Sequence, residues 1–302
     1  MGKVNAITKD YMSEPKYFAD GFNYYLFNGK QMINPDKLSI LDPAEMAIVS
    51  ENTSEEVVQK IRDVLKQCVL MTDGKFTYLI LGIENQAEIH YAMPVRNMIY
   101  DALDYGKQVS ETAKKHREQR DWKGSAEFLS GFTKDDKLKP VITLTIYFGP
   151  DDWDGPRSLK EMFDELDEDV MRFVEDYHIH LIVPKEIEDF SKFDTDLGKV
   201  MKYIAISNDK EAMKTLQEDV NFQNVDVKTV QLLNACTGSD IPIQEGKEEV
   251  DMCKGLEGMK EDARIEERER LIMNAIQGGS TVKDIASVLK IPLEEVEAIA
   301  KK

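Results

Sequence analysis

Two apolar runs around TDGK mark the stretch RDVLKQCVLMTDGKFTYLILGIENQ, Arg62 to Gln86. Asp-Gly between such runs predicts a hairpin with its turn at Asp73-Gly74. With that turn Thr72 faces Lys75, and the numbers of paired residues add up to 147 along the ladder, which sets Asp63 opposite Glu84. Gln86 projects to the same face, because strand side chains alternate with period two. Upstream, YFADGFNYYLFN (17–28) carries Phe18, Phe22, Tyr25 and Leu26 at helical spacing and predicts a helix stopped by Gly29, with Asp20 and Asn23 on one face. Downstream, Pro94 opens a helical pattern in MPVRNMIYDALDYGKQV that can cover one face of the hairpin.

Further along, KPVITLTIYFG (139–149) reads as a strand buried on both sides and HIHLIVP (178–184) as a shorter one. SLKEMFDELDEDVMRFVEDY lies between them with a helical period, and residues 186–235 are helical in pattern and mixed in charge. The expected fold is α/β over residues 10–240. A charged helical connector over 245–271 and a small helical module over 272–302 follow it. In that module Thr281 caps one short helix and Pro292 opens the next. Read as a helix-turn-helix, the module would present Glu294, Glu295 and Glu297 to phosphate, so a packing, self-association or protein-contact role fits it better.

Composition narrows the partners. The 302 residues include 39 basic and 57 acidic side chains, for a formal charge of -18. Such a molecule repels polyanions at long range, so any nucleic-acid contact needs a local basic surface. The best local candidate is the stretch from Lys107 to Lys139, with nine basic residues against six acids, including Lys107, Lys114, Lys115, Arg117 and Arg120, and with Trp122 nearby. An ordinary solvated helix face has the same pattern. Cys68, Cys236 and Cys253 are scattered without zinc spacing, which fits a reduced, cytoplasmic setting. No apolar run of about 18 residues and no leader pattern is present, so no membrane association is expected.

Two carboxylates brought together at the end of an apolar hairpin either share a proton or gather round a cation. Mg2+ suits them, because it takes one or two carboxylates and keeps positions for water and phosphate oxygens, and Gln86 would then orient an attacking water. A hairpin whose strands simply leave the core with charged ends gives the same spacing. Arg96 and Tyr100 share a helix face that can look toward the acids. GPDDWDGP (149–156) ends a strand with three acids and reads as a turn with Trp153 packed as a plug. His178 and His180 share a strand face but lack a third ligand at metal spacing.

Several segments, in order, carry a family resemblance: YFADGFNYYLFNGKQMINPDKL, RDVL, YLILGIENQAEIHYAMPVRNMIYDALDYGKQV and PVITLTIYFGPDDWDGPRSL. Together they resemble the recombination-promoting nuclease family, a transposase-like branch of the PD-(D/E)XK nuclease superfamily, over most of residues 15–190. The resemblance implies a restriction-endonuclease-like core with a mixed sheet flanked by helices, and Mg2+- or Mn2+-dependent cleavage of DNA. It places the metal-binding acids at Asp63 and Glu84, the water-positioning residue at Gln86 in an E-x-Q variant of the motif, and an assisting acid at Asp20. It favours a site-supporting role for Arg96 and Tyr100, and Arg96 joins the basic residues of its helix as a DNA contact; an arginine paired with a core-edge carboxylate is the plain alternative. Glutamine in place of lysine removes a positive charge from the motif. A non-catalytic interaction module on a degenerate nuclease scaffold is therefore the competing expectation.

Overall fold

The computed structural model describes residues 3–41, 44–48, 57–61, 63–72, 75–165, 167–216, 218–244 and 246–300. It divides into two compact units, one formed by Met1–Met213 with Lys228–Ser239, the other by Lys214–Val227 with Asp240–Lys302.

The first unit opens with helices α1 (Lys3–Ser13) and α2 (Pro15–Phe27). α2 ends as its sequence predicts: Asn28 is left-handed at φ 53 and Gly29 follows at φ +87, where an added Cβ would lie 2.6 Å from the Lys192 carbonyl oxygen. Strands β1 (Ser39–Ile40), β2 (Ala44–Ile48) and β3 (Val57–Ile61) come next, β2 and β3 forming a separate antiparallel ribbon. Then come β4 (Val64–Thr72) and β5 (Lys75–Gln86). Every β4–β5 pair from Thr72↔Lys75 to Val64↔Ile83 keeps the predicted register, with no bulge between them. The turn predicted at Asp73-Gly74 lies outside the described residues.

Helix α3 (Met93–Gln119) starts with Pro94 in its first turn, α4 (Ser125–Ser130) is short, and β6 (Val141–Tyr147) is buried along nearly all its length. The helix predicted between the two later strands does not form. Only a 3-10 turn, Lys160–Met162, and the one-turn α5 (Glu168–Met171) are present. Acids at helical spacing, such as Asp164 with Glu168 and Glu165 with Asp169, repel one another in a helix. The ends of the segment close on each other instead: Leu159 N donates to Tyr177 O at 2.9 Å, Lys160 N to the Asp176 carboxylate at 2.9 Å, and Ile179 N to Arg157 O at 2.9 Å.

Strand β7 (His180–Ile182) completes a five-stranded mixed sheet in the order β1-β4-β5-β6-β7, antiparallel through β5 and parallel from β5 to β7. The chain is therefore α/β, with helices following in its second half. They are α6 (Leu197–Ile206), α7 (Lys210–Leu216) and α8 (Val227–Thr237).

In the second unit β8 (Val225–Asp226) pairs with β9 (Glu249–Val250), and α9 (Met252–Gln277) runs unbroken through the position expected to separate connector from module. Ile272 of α9 packs with Ile285 of α10 (Val282–Leu289) and with Val296 and Ile299 of α11 (Leu293–Ala300). Thr281 caps α10, its hydroxyl accepting from Asp284 N at 3.2 Å. Among the described residues no helix is long and apolar enough to cross a membrane.

Candidate active site

The two faces of the sheet are covered by different helices. On β4 and β5 one face carries Leu65, Gln67, Ile80, Glu84 and Gln86, and the other carries Val64, Lys66, Cys68, Leu81, Ile83 and Asn85. α3 lies over the first face and is tied to β6 by a ladder of polar contacts one helical turn apart. Asn97 Nδ2 donates to Thr145 Oγ1 at 2.8 Å, Thr143 Oγ1 to Asp101 Oδ1 at 2.5 Å, and Val141 N to Tyr105 OH at 3.1 Å. Gln108 closes the series by exchanging two hydrogen bonds with the Lys139 backbone, at 2.7 and 3.1 Å. Positions 97, 101, 105 and 108 thus follow β6 backward from 145 to 139. The register fixes where Arg96 and Tyr100, on the adjoining line of α3, meet β5.

That meeting point is Glu84. Its side chain is 1% exposed, and Oε1 receives both the Arg96 guanidinium, in an ion pair, and Gln86 Nε2 at 3.3 Å. Arg96 is itself held by Tyr100, its Nε donating to the phenol oxygen at 3.0 Å. Burial works most strongly against the arginine's charge, but Glu84, Tyr100 and Asp63 together outweigh it and hold its pKa above the ordinary value. Burial also raises the Tyr100 phenol, and the negative charges of Glu84 and Asp63 add to that.

Asp63 sits one residue beyond the last regular pair, Val64↔Ile83, so it reaches the end of β5 without being a strand residue. Its Oδ2 accepts from Asn85 N at 2.9 Å, taking over a backbone donor at the point where the β4–β5 pairing stops. Burial raises its pKa, opposed by the Asn85 amide and by the charges of Lys9 and Arg96. Asp63, Glu84, Gln86 and Arg96 are thus gathered at one end of the β4–β5 pair, on and beside the face that α3 covers.

Asp20 is engaged elsewhere. It is 1% exposed, and its carboxylate accepts from Asp194 N at 2.9 Å, Thr195 N at 3.0 Å and Thr195 Oγ1 at 2.5 Å, fixing the chain that leads into α6. Burial raises its pKa, and those same three donors hold it back. Sequence reasoning could place Asp20 on a helix face but had no signal for a partner 174 residues away.

The remaining candidates fall into place around this centre. Lys107, Lys114, Lys115, Arg117 and Arg120 are all exposed, the first four on α3 and Arg120 in the left-handed residue that ends it. Trp153 is buried against Tyr147, their rings edge to face at 5.5 Å, in a cluster with Met93, Ile179 and Val183. The acids of its loop face different partners: Asp151 meets Asn208 at 3.4 Å, Asp152 meets Lys185 at 3.3 Å, and Asp154 meets the Tyr91 hydroxyl at 3.1 Å. His180 stands edge-on to Tyr25 at 5.5 Å, and His178 is exposed beside Asp176 at 3.5 Å.

Among the described residues no group of three or more histidine, cysteine or acidic side chains is placed to hold a metal. Asp63 and Glu84 stand at the same end of the β4–β5 pair, and one or two carboxylates are what Mg2+ needs, the rest of its shell being water. Arg96 and Gln86 both address Glu84 at Oε1. A cation drawing on this carboxylate would approach on its Oε2 side or take the guanidinium's place. No family model matches the chain, and no curated protein or solved structure matches it either.

Proposed function

We propose that the chain is a metal-dependent nuclease of the PD-(D/E)XK type, cutting DNA phosphodiesters in a transposase-like or recombination-related role. The observation that carries the reading is the convergence of Asp63 and Glu84 at one end of the β4–β5 pair, with Gln86 and Arg96 both on Glu84. Asp63 and Glu84 would hold Mg2+ or Mn2+. Bound there, the ion lowers the pKa of a water and neutralises charge on the phosphate oxygens. Gln86 would orient the attacking water through its amide, a hydrogen-bonding role that needs no charge. Arg96, fixed by Tyr100, would supply the positive charge that glutamine lacks in the motif. Asp20 serves the framework, through its contacts to the approach to α6.

A second reading rests on the Arg96–Glu84 ion pair itself. An acid neutralised within the protein no longer needs a cation, as expected of a degenerate scaffold that binds partners without cutting them. Incubation of the full chain with supercoiled and linear DNA at low salt, in Mg2+, Mn2+ or chelator and beside Asp63→Ala, separates the two. Metal-dependent nicking that disappears in Asp63→Ala is the expected result. No nicking in any condition, with no metal binding by calorimetry, would leave the interaction module as the function.

A further inference from the structure

Past the end of α3 the chain builds a small exposed tip. α4 presents Phe128 at 66% and Leu129 at 84% exposure. Phe128 stands against a framework of ring contacts and hydrogen bonds. Trp122 stands edge-on to the Phe128 ring at 6.4 Å and lies tilted against the His116 ring at 5.0 Å. His116 is gripped from both sides, Nδ1 by Asp121 at 2.8 Å and Nε2 by Asp136 at 2.9 Å, and Asp136 also accepts from Thr133 N at 2.7 Å. Gly131, left-handed at φ +70, lets the turn after α4 press onto α3, where an added Cβ would sit 2.5 Å from Ala113 Cβ. The Phe128 ring is therefore set against a hydrogen-bonded support.

The surroundings of the tip carry more cations than acids, nine against six between Lys107 and Lys139. Lys114, Lys115, Arg117 and Arg120 are exposed on the adjoining end of α3. Arg96, Lys107 and Lys114 fall within about 20° of one another around α3 at ~100° per residue, forming one stripe. Along α3 that stripe runs from Arg96, on Glu84, to Lys114 over roughly 27 Å, at about 1.5 Å per residue.

We propose that this tip is a contact for unpaired nucleic-acid strands, with Phe128 as the ring on which a base stacks and the α3 cations as its phosphate contacts. Charge complementarity points to a polyanion: a chain of net charge -18 needs a local excess of cations to meet one, and this stretch supplies it. The exposed ring selects the unpaired form, because base faces are open to an aromatic side chain only where the strand is not stacked in a duplex. The inference rests on the nucleic-acid reading above and assigns that site a substrate class: strand ends, flaps or melted DNA beside the cleaved bond.

The test is fluorescence anisotropy of labelled oligothymidylate, about a dozen nucleotides long, within the usual ~4–16 nucleotide site. The same sequence as duplex is run beside it, with the full chain in chelator. Phe128→Ala should weaken single-strand binding by about 5- to 100-fold and leave duplex binding unchanged. Lys114→Ala should flatten the salt dependence of single-strand binding by about 0.7 in log-log slope. Because Phe128 is exposed, a circular-dichroism melt confirms that its variant stays folded. Absence of single-strand binding, an unaltered Phe128→Ala variant, or an equal loss on duplex would each overturn the proposal. The two readings fail separately. Metal-dependent nicking with no Phe128-dependent binding removes the tip and keeps the nuclease; Phe128-dependent binding without nicking keeps the tip and removes the nuclease.

Discussion

Replacing Arg96 with methionine removes the guanidinium from a carboxylate that is 1% exposed and keeps most of the aliphatic bulk. Removing one partner of a fully buried ion pair costs about 3–5 kcal/mol, mostly for the charge left behind. Arg96 is 34% exposed, so solvent already screens part of its interaction, and the expected loss falls to roughly 2 kcal/mol. In a unit of this size each kcal/mol moves the melting temperature by about 2–4 °C, which gives a fall of roughly 4–8 °C in chelator. On the proposed metal reading a cation at Glu84 would take over part of the arginine's electrostatic role, so Mg2+ should raise the melting temperature of Arg96→Met by more than that of the parent. Ligand linkage allows about 2.7 kcal/mol at a hundredfold excess over Kd. Differential scanning calorimetry with and without Mg2+ measures both quantities. A variant that melts within ~1 °C of the parent in chelator would refute the claim that this ion pair holds α3 to β5.

Three further outcomes follow from groups outside that pair. Asp20→Asn leaves one acceptor oxygen for three donors, so it should lose about 1–3 kcal/mol in urea unfolding while metal affinity by calorimetry is unchanged. Lys66 is 2% exposed, donates to Ser13 O at 2.6 Å and has its pKa lowered by burial. Lys66→Met should therefore be within about 1 kcal/mol of the parent or more stable at neutral pH. Since the unfolded lysine binds its proton more tightly, the parent should gain on that variant as pH rises through the lowered folded value toward ~10.4, read from paired urea midpoints. His116 has its pKa raised, first by its hydrogen bond to Asp121 and also by Asp136. Its contribution is fully present below the unfolded value of about 6.5 and is lost as pH rises through the folded one. Ring-nitrogen NMR should show both nitrogens protonated at pH 6, and His116→Asn should remove that pH dependence of the melt.

Along β4 and β5 the local pattern was sufficient: two apolar runs with Asp-Gly between them fixed partner, register and face, and so brought Asp63 to the end of β5 near Glu84. The same holds for α2 with its Asn28-Gly29 stop, for Pro94 at the start of α3 and for Thr281 at the cap of α10, because each is decided within a few residues by backbone preference and a periodic apolar stripe. Contacts between distant segments have no such periodic signature. The helical period of 158–177 was overruled by repulsion among its acids and by closure of its ends on each other. Asp20 was committed to the backbone 174 residues away, and Asp63 was turned onto the Asn85 amide. Which helix face meets Glu84 depended on the polar ladder from Asn97 to Gln108 against β6, whose residues look unremarkable in sequence. The sequence by itself therefore determined most of the elements and the register of the hairpin that ends at Asp63 and Glu84. Only the tertiary structure decided that Arg96 lies on Glu84, because that contact depends on the packing of a helix on a sheet, where small shifts of register change which charges meet.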